Sequence, residues 1–430
     1  MHLLLRSTIQ AVVLYATIAG LPDVSAAQDQ PCCLRDGLRI AARYRVEAID
    51  HRRFTSTDLW NAIGPYVVAP GVRTEDLARS VGGRPIRAVT VGTGPTSVLL
   101  WSQMHGDEST ATMALADIIR FFAEGTADPL QQRLTEHLTI TMVPMLNPDG
   151  AQRFARENAL GIDLNRDARR LVTPEARALK GLRDRLQADF GFNLHDQGVR
   201  RTAGPTGLQV AIALLAPAAD EEKSYGPTRQ RARLVAATMA NVLNQQIPGR
   251  LAKWDDSFEP RAFGDLMQQW GTSTVLIESG GLPDDPEKQN LRTLNVVALL
   301  TAFDAIASGR YETANPDVYE QLPFNLGVEY DLLLAGGRIV AGTGDPMTAD
   351  IALVYDDPVA GREIRVEAVG DLNRAEAMDT LDITGLYVHP EPGSTTTSHG
   401  VPGIRLGHRA AFTVRRGTSP DSEVVHEFRE

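Results

Sequence analysis

The stretch SVLLWSQMHGDES, residues 97–109, decides the fold class, because an apolar run passes there directly into a polar turn. The run Ser97–Trp101 shows no alternation of polar and apolar residues, which predicts a strand buried on both faces. Three later runs share this character: Leu138–Met145, Phe190–Leu194 and Thr274–Ile277. Buried strands of this kind are typical of an α/β layer fold.

Long amphipathic stretches separate the apolar runs and predict helices. We expect one helix over Ser109–Glu124, with Gly125 as its stop. A second helix begins at Thr173-Pro174, where a capping threonine precedes a proline at the first helical position. A third covers Asn290–Ser308 and ends before a glycine. Helices between buried strands predict layers of helices on both faces of the sheet.

Composition limits the possible functions. The chain has 430 residues, of which 43% are hydrophobic, so it can bury a sizeable core and is long enough for two domains. Lys and Arg total 43 against 54 Asp and Glu, and the net charge of −11 argues against nucleic acid or an anionic membrane as partner. The two cysteines, Cys32 and Cys33, are adjacent, which excludes a disulfide framework and a cysteine-based metal site.

The first residues predict a signal peptide, residues 1–27. Arg6 precedes an uncharged run, Ser7–Pro22, and small residues follow at Ser25-Ala26-Ala27. The alternative is a membrane anchor, but the run is shorter than the roughly 20 apolar residues that a spanning helix needs. We therefore expect export to the periplasm or beyond, without stable membrane insertion.

A polar segment divides the rest of the chain. Residues 312–323, ETANPDVYEQLP, contain two prolines and predict a linker between an α/β domain at 28–311 and a second domain at 324–430. After Tyr330 the chain consists of short β-like runs separated by Gly, Pro and Asp, without helical periodicity. The second domain is therefore predicted to be small and built from β-strands.

The polar turn after the first apolar run carries candidate metal ligands. His105 and Glu108 form an H-x-x-E arrangement, and His195 directly follows another apolar run. Two histidines and one glutamate form a set that holds zinc and leaves a coordination position open for water. Taken singly, each residue also fits a simpler interpretation, a solvated helix start for the H-x-x-E pair and an ordinary strand-end histidine for His195.

Glu278 ends a further apolar run in VLIESGG, beside small residues that leave space for a ligand. A carboxylate there can act as general base towards a water activated by a metal. The alternative interpretation is a strand-end acid that caps a neighbouring helix.

Between these ligands lies NPDGAQRFARENALGIDLNRD, residues 147–167. With H-x-x-E before it and a distant His and Glu after it, this stretch resembles the zinc carboxypeptidase family over roughly residues 60–310. The resemblance implies an α/β/α domain with a mixed central sheet, one zinc ion per chain, and a peptide substrate with a free C-terminal carboxylate. It implies that His105, Glu108 and His195 are the zinc ligands and that Glu278 is the catalytic glutamate.

The resemblance also implies roles for residues inside that stretch. Arg156 matches the arginine that polarises the scissile carbonyl, and Asn165-Arg166 match the clamp for the terminal carboxylate. A guanidinium suits both tasks, because it binds oxygen pairs with fixed geometry. Asp163 matches the acid that orients a ligand histidine, here His105. Arg153, one turn from Arg156, competes for the first role.

Three features depart from the family. No tyrosine lies between Tyr225 and Tyr311, where pancreatic members carry a mobile one. Either an aromatic residue from Trp254, Phe258 and Phe263 closes over the substrate, or no residue does. Side-chain specificity stays open, because three acids in the same stretch either favour a basic residue or form a solvated acidic loop: Asp255, Asp256 and Asp265. The segment 200–231 has no counterpart and is a candidate lid or recognition loop.

The tail resembles a different family. From Tyr330 it is similar to the small β-sandwich domain that flanks the barrel of amidohydrolases such as D-aminoacylases, but the H-x-H pair expected after such a segment is absent. We therefore predict a structural or partner-binding role for the tail. For the whole chain, the alternatives to a peptidase are a zinc-dependent deacylase of N-acyl amino acids and a non-catalytic protein that binds peptides or cell-wall fragments.

Overall fold

The computed structural model describes residues 34–341, 344–359, 361–391 and 403–428. The predicted signal peptide and the pair Cys32 and Cys33 lie outside these ranges. The first nine strands are β1 (Val72–Arg79), β2 (Pro85–Val91), β3 (Thr96–Ser102), β4 (Leu138–Val143), β5 (Phe190–Asp196), β6 (Arg201–Ala203), β7 (Ile212–Leu215), β8 (Leu251–Lys253) and β9 (Ser273–Ser279).

All of these strands except β6 form one eight-stranded sheet, in the order β1-β2-β4-β3-β5-β9-β7-β8. Its centre is parallel, with β3 paired to β4 and β5, and β5 paired to β9. Antiparallel pairs join β1 to β2, β2 to β4, and β7 to β9. The sheet is therefore mixed, as predicted.

Ten α-helices accompany the strands in the described ranges: α1 (Leu34–Arg43), α2 (Ser56–Val67), α3 (Thr110–Glu124), α4 (Pro129–His137), α5 (Pro148–Arg153), α6 (Pro174–Leu186), α7 (Pro227–Leu243), α8 (Phe263–Gln269), α9 (Gln289–Ala307) and α10 (Asp317–Glu320). Successive side chains of a strand point to opposite faces of its sheet. In β3, Val98 and Leu100 pack into a core shared with α3 and α9. Leu99 and Trp101 pack into a second core shared with α6 and α8. Helices thus cover both faces, and the predicted α/β/α fold is confirmed.

The predicted helix ends agree closely with the structure. Helix α3 begins after Ser109 and ends at Gly125, and the side chain of Thr173 accepts a hydrogen bond from the backbone of Ala176 at the start of α6. Helix α9 is long and apolar enough to cross a membrane, but 83% of its apolar window is buried in the protein. We therefore interpret α9 as a core helix.

The parallel centre of the sheet brings the ends of separate strands together. The carboxyl ends of β3, β5 and β9 lie at the same edge, because the three strands run in the same direction. In the register of β5 and β9, His195 is paired with Glu278. Open α/β sheets bind their ligands at this edge.

The C-terminal part is built from strands. Strand β10 (Asn325–Gly327) pairs with β6. It is followed by β11 (Tyr330–Ala335), β12 (Arg338–Ile339), β13 (Met347–Thr348), β14 (Asp350–Asp357), β15 (Arg362–Gly370), β16 (Ala377–Asp382), β17 (Tyr387–Pro390), β18 (Phe412–Arg415) and β19 (Val424–Phe428). Two sheets result, β15-β14-β11-β16 and β13-β12-β17-β18-β19, and they share one apolar core. The predicted small β domain is present.

The segment predicted as a linker, 312–323, is packed onto the N-terminal domain. It contains α10, in which Tyr319 is 1% exposed and its hydroxyl oxygen accepts a hydrogen bond of 3.0 Å from the backbone of Ala216. Burial of the aromatic ring stabilises the packing of this polar segment, because it removes apolar surface from water. The limits of the two domains remain a prediction.

Candidate metal centre and active site

His105, Glu108 and His195 meet at the carboxyl edge of the sheet. His105 and Glu108 lie in the turn between β3 and α3, and His195 lies near the end of β5. The Nδ1 atom of His105 is 2.7 Å from Oε1 of Glu108, and Nδ1 of His195 is 2.6 Å from Oε2. The two Nδ1 atoms are 3.2 Å apart. All three side chains are nearly buried, at 9% exposed or less.

Close packing of two turns fixes the position of His105. A Cβ atom on Gly106 would lie 2.0 Å from the carbonyl carbon of Gly150, so only glycine allows this contact. The side chain of Asn147 connects the two turns, because its amide donates hydrogen bonds to the carbonyl oxygens of Met104 and Arg156. The Asn-Pro-Asp-Gly turn thus holds Arg156 beside the histidine.

Asp163 connects His105 to Arg156. One carboxylate oxygen, Oδ1, is 3.0 Å from Nε2 of His105, and the other accepts hydrogen bonds from Nε and Nη2 of Arg156 at 3.1 and 2.9 Å. An Nε2–H that donates to Asp163 leaves the lone pair on Nδ1 of His105, facing Glu108 and His195. Arg156 keeps Nη1 on the inner side, 3.4 Å from Oε1 of Glu108.

Electrostatics of the cluster favour a cation at its centre. Burial lowers the pKa of His105, but the carboxylates of Glu108 and Asp163 outweigh burial and raise it to about 9. Burial raises the pKa of Glu108, but the two imidazole rings hold it well below its usual range. Burial lowers the pKa of His195. A buried carboxylate beside two imidazoles is stabilised by positive charge, which a proton or a metal ion can supply.

The donor set fits zinc. Two nitrogen ligands at zinc–nitrogen distances of 2.0–2.1 Å and tetrahedral angles are about 3.3 Å apart, close to the separation of the two Nδ1 atoms. The Nε2 atom of His195 is buried without a partner among the described residues. His105, Glu108 and His195 are also the only such group of three or more potential ligands in the described ranges.

Glu278 lies beside the three candidate ligands, at the wall of a cavity of about 380 Å³. It is 8% exposed, and its carboxylate has no hydrogen-bond partner among the residues that the structure describes. Burial raises the pKa of Glu278 well above its usual range, and the carboxylate of Glu108 adds to this effect. The neighbouring residue on β7 is Ala213, whose small side chain leaves the carboxylate room.

Asn165 and Arg166 lie at the same cavity, in a short 3₁₀ helix, Leu164–Arg166. Oδ1 of Asn165 accepts a hydrogen bond of 2.9 Å from the backbone of Phe263, so its NH₂ group remains available as a donor. The guanidinium of Arg166 is partly exposed and lies 3.7 Å from Glu259. The structure therefore brings every predicted ligand and substrate-binding residue to one cavity, and the roles of these residues remain predictions.

The structure separates candidates that the sequence left open. Arg153 donates to the backbone oxygens of Glu157 and Asn158 and does not line the cavity, whereas Arg156 does. Among the aromatic candidates, Trp254 lines the cavity. Phe263 is buried in the core and Phe258 lines a neighbouring cavity.

The three acids considered for side-chain specificity also differ in their surroundings. Asp256 is paired with Lys223 and Arg229, but Asp255 and Asp265 line the cavity. Burial raises the pKa of Asp265 to about 7. The segment 200–231 is mostly structural, because β7 belongs to the central sheet and the core, but Arg201, Leu215 and Pro217 line the cavity.

The sequence reasoning missed an ion pair behind the ligands. Oδ2 of Asp196 accepts hydrogen bonds from Oγ1 of Thr110 at 2.6 Å and from Nζ of Lys288 at 3.0 Å. The backbone N–H of Asp196 donates to Glu108. Its position directly after His195 was a possible signal for Asp196, but nothing local in the sequence marks Lys288 as its partner.

Comparison with known proteins found a match over the part of the chain that contains most of this site. Residues 70–189 match the model of a family described as zinc carboxypeptidase. This part of the chain is similar to zinc carboxypeptidases. The predicted residues from His105 to Arg166 lie within the matched segment, and His195 and Glu278 lie beyond it. The predicted resemblance to zinc carboxypeptidases is therefore confirmed, whereas the resemblance of the tail to the β-sandwich domain of amidohydrolases stays a prediction.

Curated carboxypeptidases match only parts of the chain. Carboxypeptidase SOL1 of Arabidopsis thaliana is 29% identical over 102 residues, which cover 22% of this chain and 21% of the relative. Carboxypeptidase D of Mus musculus is 33% identical over 124 residues, which cover 24% of this chain and 9% of the relative. The match thus spans about a fifth of the first relative and less than a tenth of the second.

Solved structures resemble the chain over a larger part. A metallo-carboxypeptidase from Burkholderia cenocepacia is 19% identical with a TM-score of 0.49, and the match covers 60% of this chain and 70% of that chain. Bovine thrombin-activatable fibrinolysis inhibitor, solved with a tick carboxypeptidase inhibitor, is 13% identical with a TM-score of 0.49, covering 60% of this chain and 98% of that one.

Proposed function

We propose that this chain is a zinc-dependent metallocarboxypeptidase that hydrolyses the C-terminal bond of peptides, with Glu278 as general base. One observation carries the proposal. Two imidazole nitrogens and one carboxylate converge within 3.2 Å of one another, with Glu278 in register beside His195 and two arginines in the same cavity.

His105, Glu108 and His195 are the residues that would hold zinc. Bound zinc would lower the pKa of a water and polarise the scissile carbonyl. The side chains of the protein orient the ligands, transfer the proton and bind the substrate. Asp163 keeps His105 in the tautomer whose Nδ1 would bind zinc. It also accepts two hydrogen bonds from one edge of the Arg156 guanidinium.

Glu278 takes the proton from the attacking water and passes it to the leaving amine. Its buried carboxylate suits this task, because burial shifts its pKa towards the range in which it can both accept and return a proton. Arg156 aims Nη1 at the cavity, where it can donate to the oxygen on which negative charge develops. One such donor contributes on the order of 10² to 10³ in rate.

Asn165 and Arg166 would bind the terminal carboxylate of the substrate. A guanidinium binds a carboxylate through two parallel hydrogen bonds, and the amide of Asn165 adds a further donor. This pair makes the proposed enzyme an exopeptidase, because an internal peptide bond offers no carboxylate to bind. The N-terminal segment further leads us to propose that the protein is exported after its signal peptide is removed.

A zinc-dependent deacylase of N-acyl amino acids would use similar residues. The two activities are separated by comparing, at equal substrate concentration, release of free amino acid from peptides and from N-acetylated amino acids. We expect faster release from peptides. Faster hydrolysis of N-acetylated amino acids would show that the protein is a deacylase and not a peptidase.

Replacement of Asp163 by asparagine should weaken zinc binding about 10- to 100-fold, the usual effect of removing a carboxylate that orients a metal-binding histidine. The measurement is competition for zinc against a chromophoric chelator. The chain offers a matched control, since the tetrapeptide Asp-Leu-Asn-Arg occurs again at Asp371–Arg374 in a turn of the β domain. Asp371→Asn should leave zinc affinity unchanged, and equal effects of the two variants would contradict the assigned contact.

A further inference from the structure

A third arginine, Arg201, lines the cavity and differs from Arg156 and Arg166 in its partners. Arg156 is bound by Asp163, and Arg166 lies 3.7 Å from a carboxylate oxygen. The guanidinium of Arg201 has no hydrogen bond and no ion pair with any described residue. Its Cζ lies 4.8 Å from the ring centroid of Trp254, which lines the same cavity. Arg201 is thus a partly buried cation without a directly paired carboxylate among the described residues.

The C-terminal part of the chain holds Arg201 in place. In the pairing of β6 with β10, Arg201 is opposite Gly327, and a Cβ there would lie 3.9 Å from Nη1. On the other side, the backbone N–H of Val210 donates to the carbonyl of Arg201. The preceding residue, Arg200, is tied to the β domain by an ion pair of 3.3 Å with Asp331. These contacts fix the backbone that presents Arg201 to the cavity.

The chemistry of Arg201 indicates its ligand. A guanidinium over an indole ring is held by a cation–π contact and keeps its N–H donors for other partners. Carboxylates match these donors in geometry and charge. Arg201 also lies close to the reaction centre. Burial raises the pKa of Glu278, and the charge of Arg201 opposes that rise.

We propose that Arg201 is a substrate-binding residue that takes a second carboxylate, so that the cleft favours peptides with an acidic side chain close to the C-terminal bond. The inference rests on the proposed function, in which Arg166 already takes the terminal carboxylate. It names a substrate class for the same site, peptides that carry at least one acidic residue just before the residue that is released.

The test compares matched peptides that differ only by Glu or Gln at one of the three positions before the C-terminal residue. For the zinc-loaded protein, kcat/KM for the Glu peptide should exceed that for the Gln peptide about 1.5-fold to fivefold at one position, the range for a partly exposed ion pair. The ratio should fall to near unity in Arg201→Ala and be partly restored in Arg201→Lys. Because each ratio is taken within one variant, a general loss of activity cancels.

Arg250→Ala is the matched control. Arg250 is also partly buried and its Nη1 donates to the backbone of Gln209, but it does not line the cavity. This variant removes the same charge and should keep the preference for Glu. A wild-type ratio of one at all three positions would overturn the proposal, as would a ratio that persists in Arg201→Ala.

A binding measurement separates this inference from the proposed function. Calorimetry on the zinc-loaded Glu278→Gln variant should show tighter binding of the Glu peptide, and adding Arg201→Ala should remove the difference. If no peptide is hydrolysed but the binding difference is present, the peptidase proposal fails and the assignment of Arg201 stands. If the Gln peptides are hydrolysed and Glu brings no gain, the assignment of Arg201 fails and the peptidase proposal stands.

Discussion

Replacement of Glu278 by glutamine is expected to lower kcat about 10²- to 10⁴-fold, the contribution of a well-placed general acid and base. Glutamine has nearly the same shape but cannot accept the proton of the attacking water. Zinc should stay bound, because the three candidate ligands, His105, Glu108 and His195, are untouched. The measurement is turnover of a peptide with a free C-terminus, together with metal analysis of the same sample.

The control for this variant is Glu312→Gln, which removes the same charge from an exposed position in the segment after α9. It should keep both turnover and zinc. Near-wild-type turnover of Glu278→Gln would remove Glu278 from the mechanism. Loss of zinc in that variant would instead make Glu278 part of the metal site.

Replacement of His195 by alanine should remove zinc and turnover together. A His₂Glu site holds a single zinc ion through three protein ligands. Deleting one of them leaves too few ligands to retain the ion. Zinc content should therefore fall from about one ion per chain to near zero after dialysis. Turnover should fall to the level of the wild-type protein treated with a chelator, whose own activity should return when zinc is added back.

His137→Ala is the matched histidine control. His137 is exposed at the end of α4 and belongs to none of the contacts around the candidate ligands. This variant should retain zinc and turnover. Full zinc content in His195→Ala would mean that the ion is bound elsewhere, and the three-ligand site would be wrong.

The central strands could be predicted from the sequence because the sheet buries them on both faces. Strands β3, β5 and β9 are buried along most of their length, and each was expected within two residues of its observed ends. Strand β1 was not expected, because its residues, VRTEDLAR, are largely exposed and polar. It exists through pairing with β2 at the sheet edge, a long-range contact that leaves no local pattern.

The linker expectation shows a related limit. Two prolines and the polar composition of 312–323 indicated a linker. The structure instead contains α10, which begins after Pro316, and buries Tyr319 against β7. One aromatic residue outweighs the polar composition around it, because its burial stabilises a docked conformation that composition alone cannot reveal.

The candidate site was predictable where residues are close in sequence or follow a known order. The neighbouring motifs were needed to identify the right tetrapeptide. Asp-Leu-Asn-Arg occurs twice, and only the copy at 163–166 lies at the cavity. The pair of Asp196 and Lys288 was not predictable, because the two residues are 92 positions apart and meet only through the strand order. Arg201 was likewise hidden, since its position depends on pairing between β6 and β10.

The most direct test of the proposed carboxypeptidase activity uses one peptide in two forms, with a free C-terminal carboxylate and with a C-terminal amide. The zinc-loaded protein is incubated with each form, and the products are followed by mass spectrometry. We predict that the free acid loses its last residue as a single amino acid, while the amide, which offers Arg166 no carboxylate, reacts far more slowly. Cleavage of both forms at equal rates, cleavage at internal bonds, or no cleavage of either form by zinc-loaded protein would contradict the assignment.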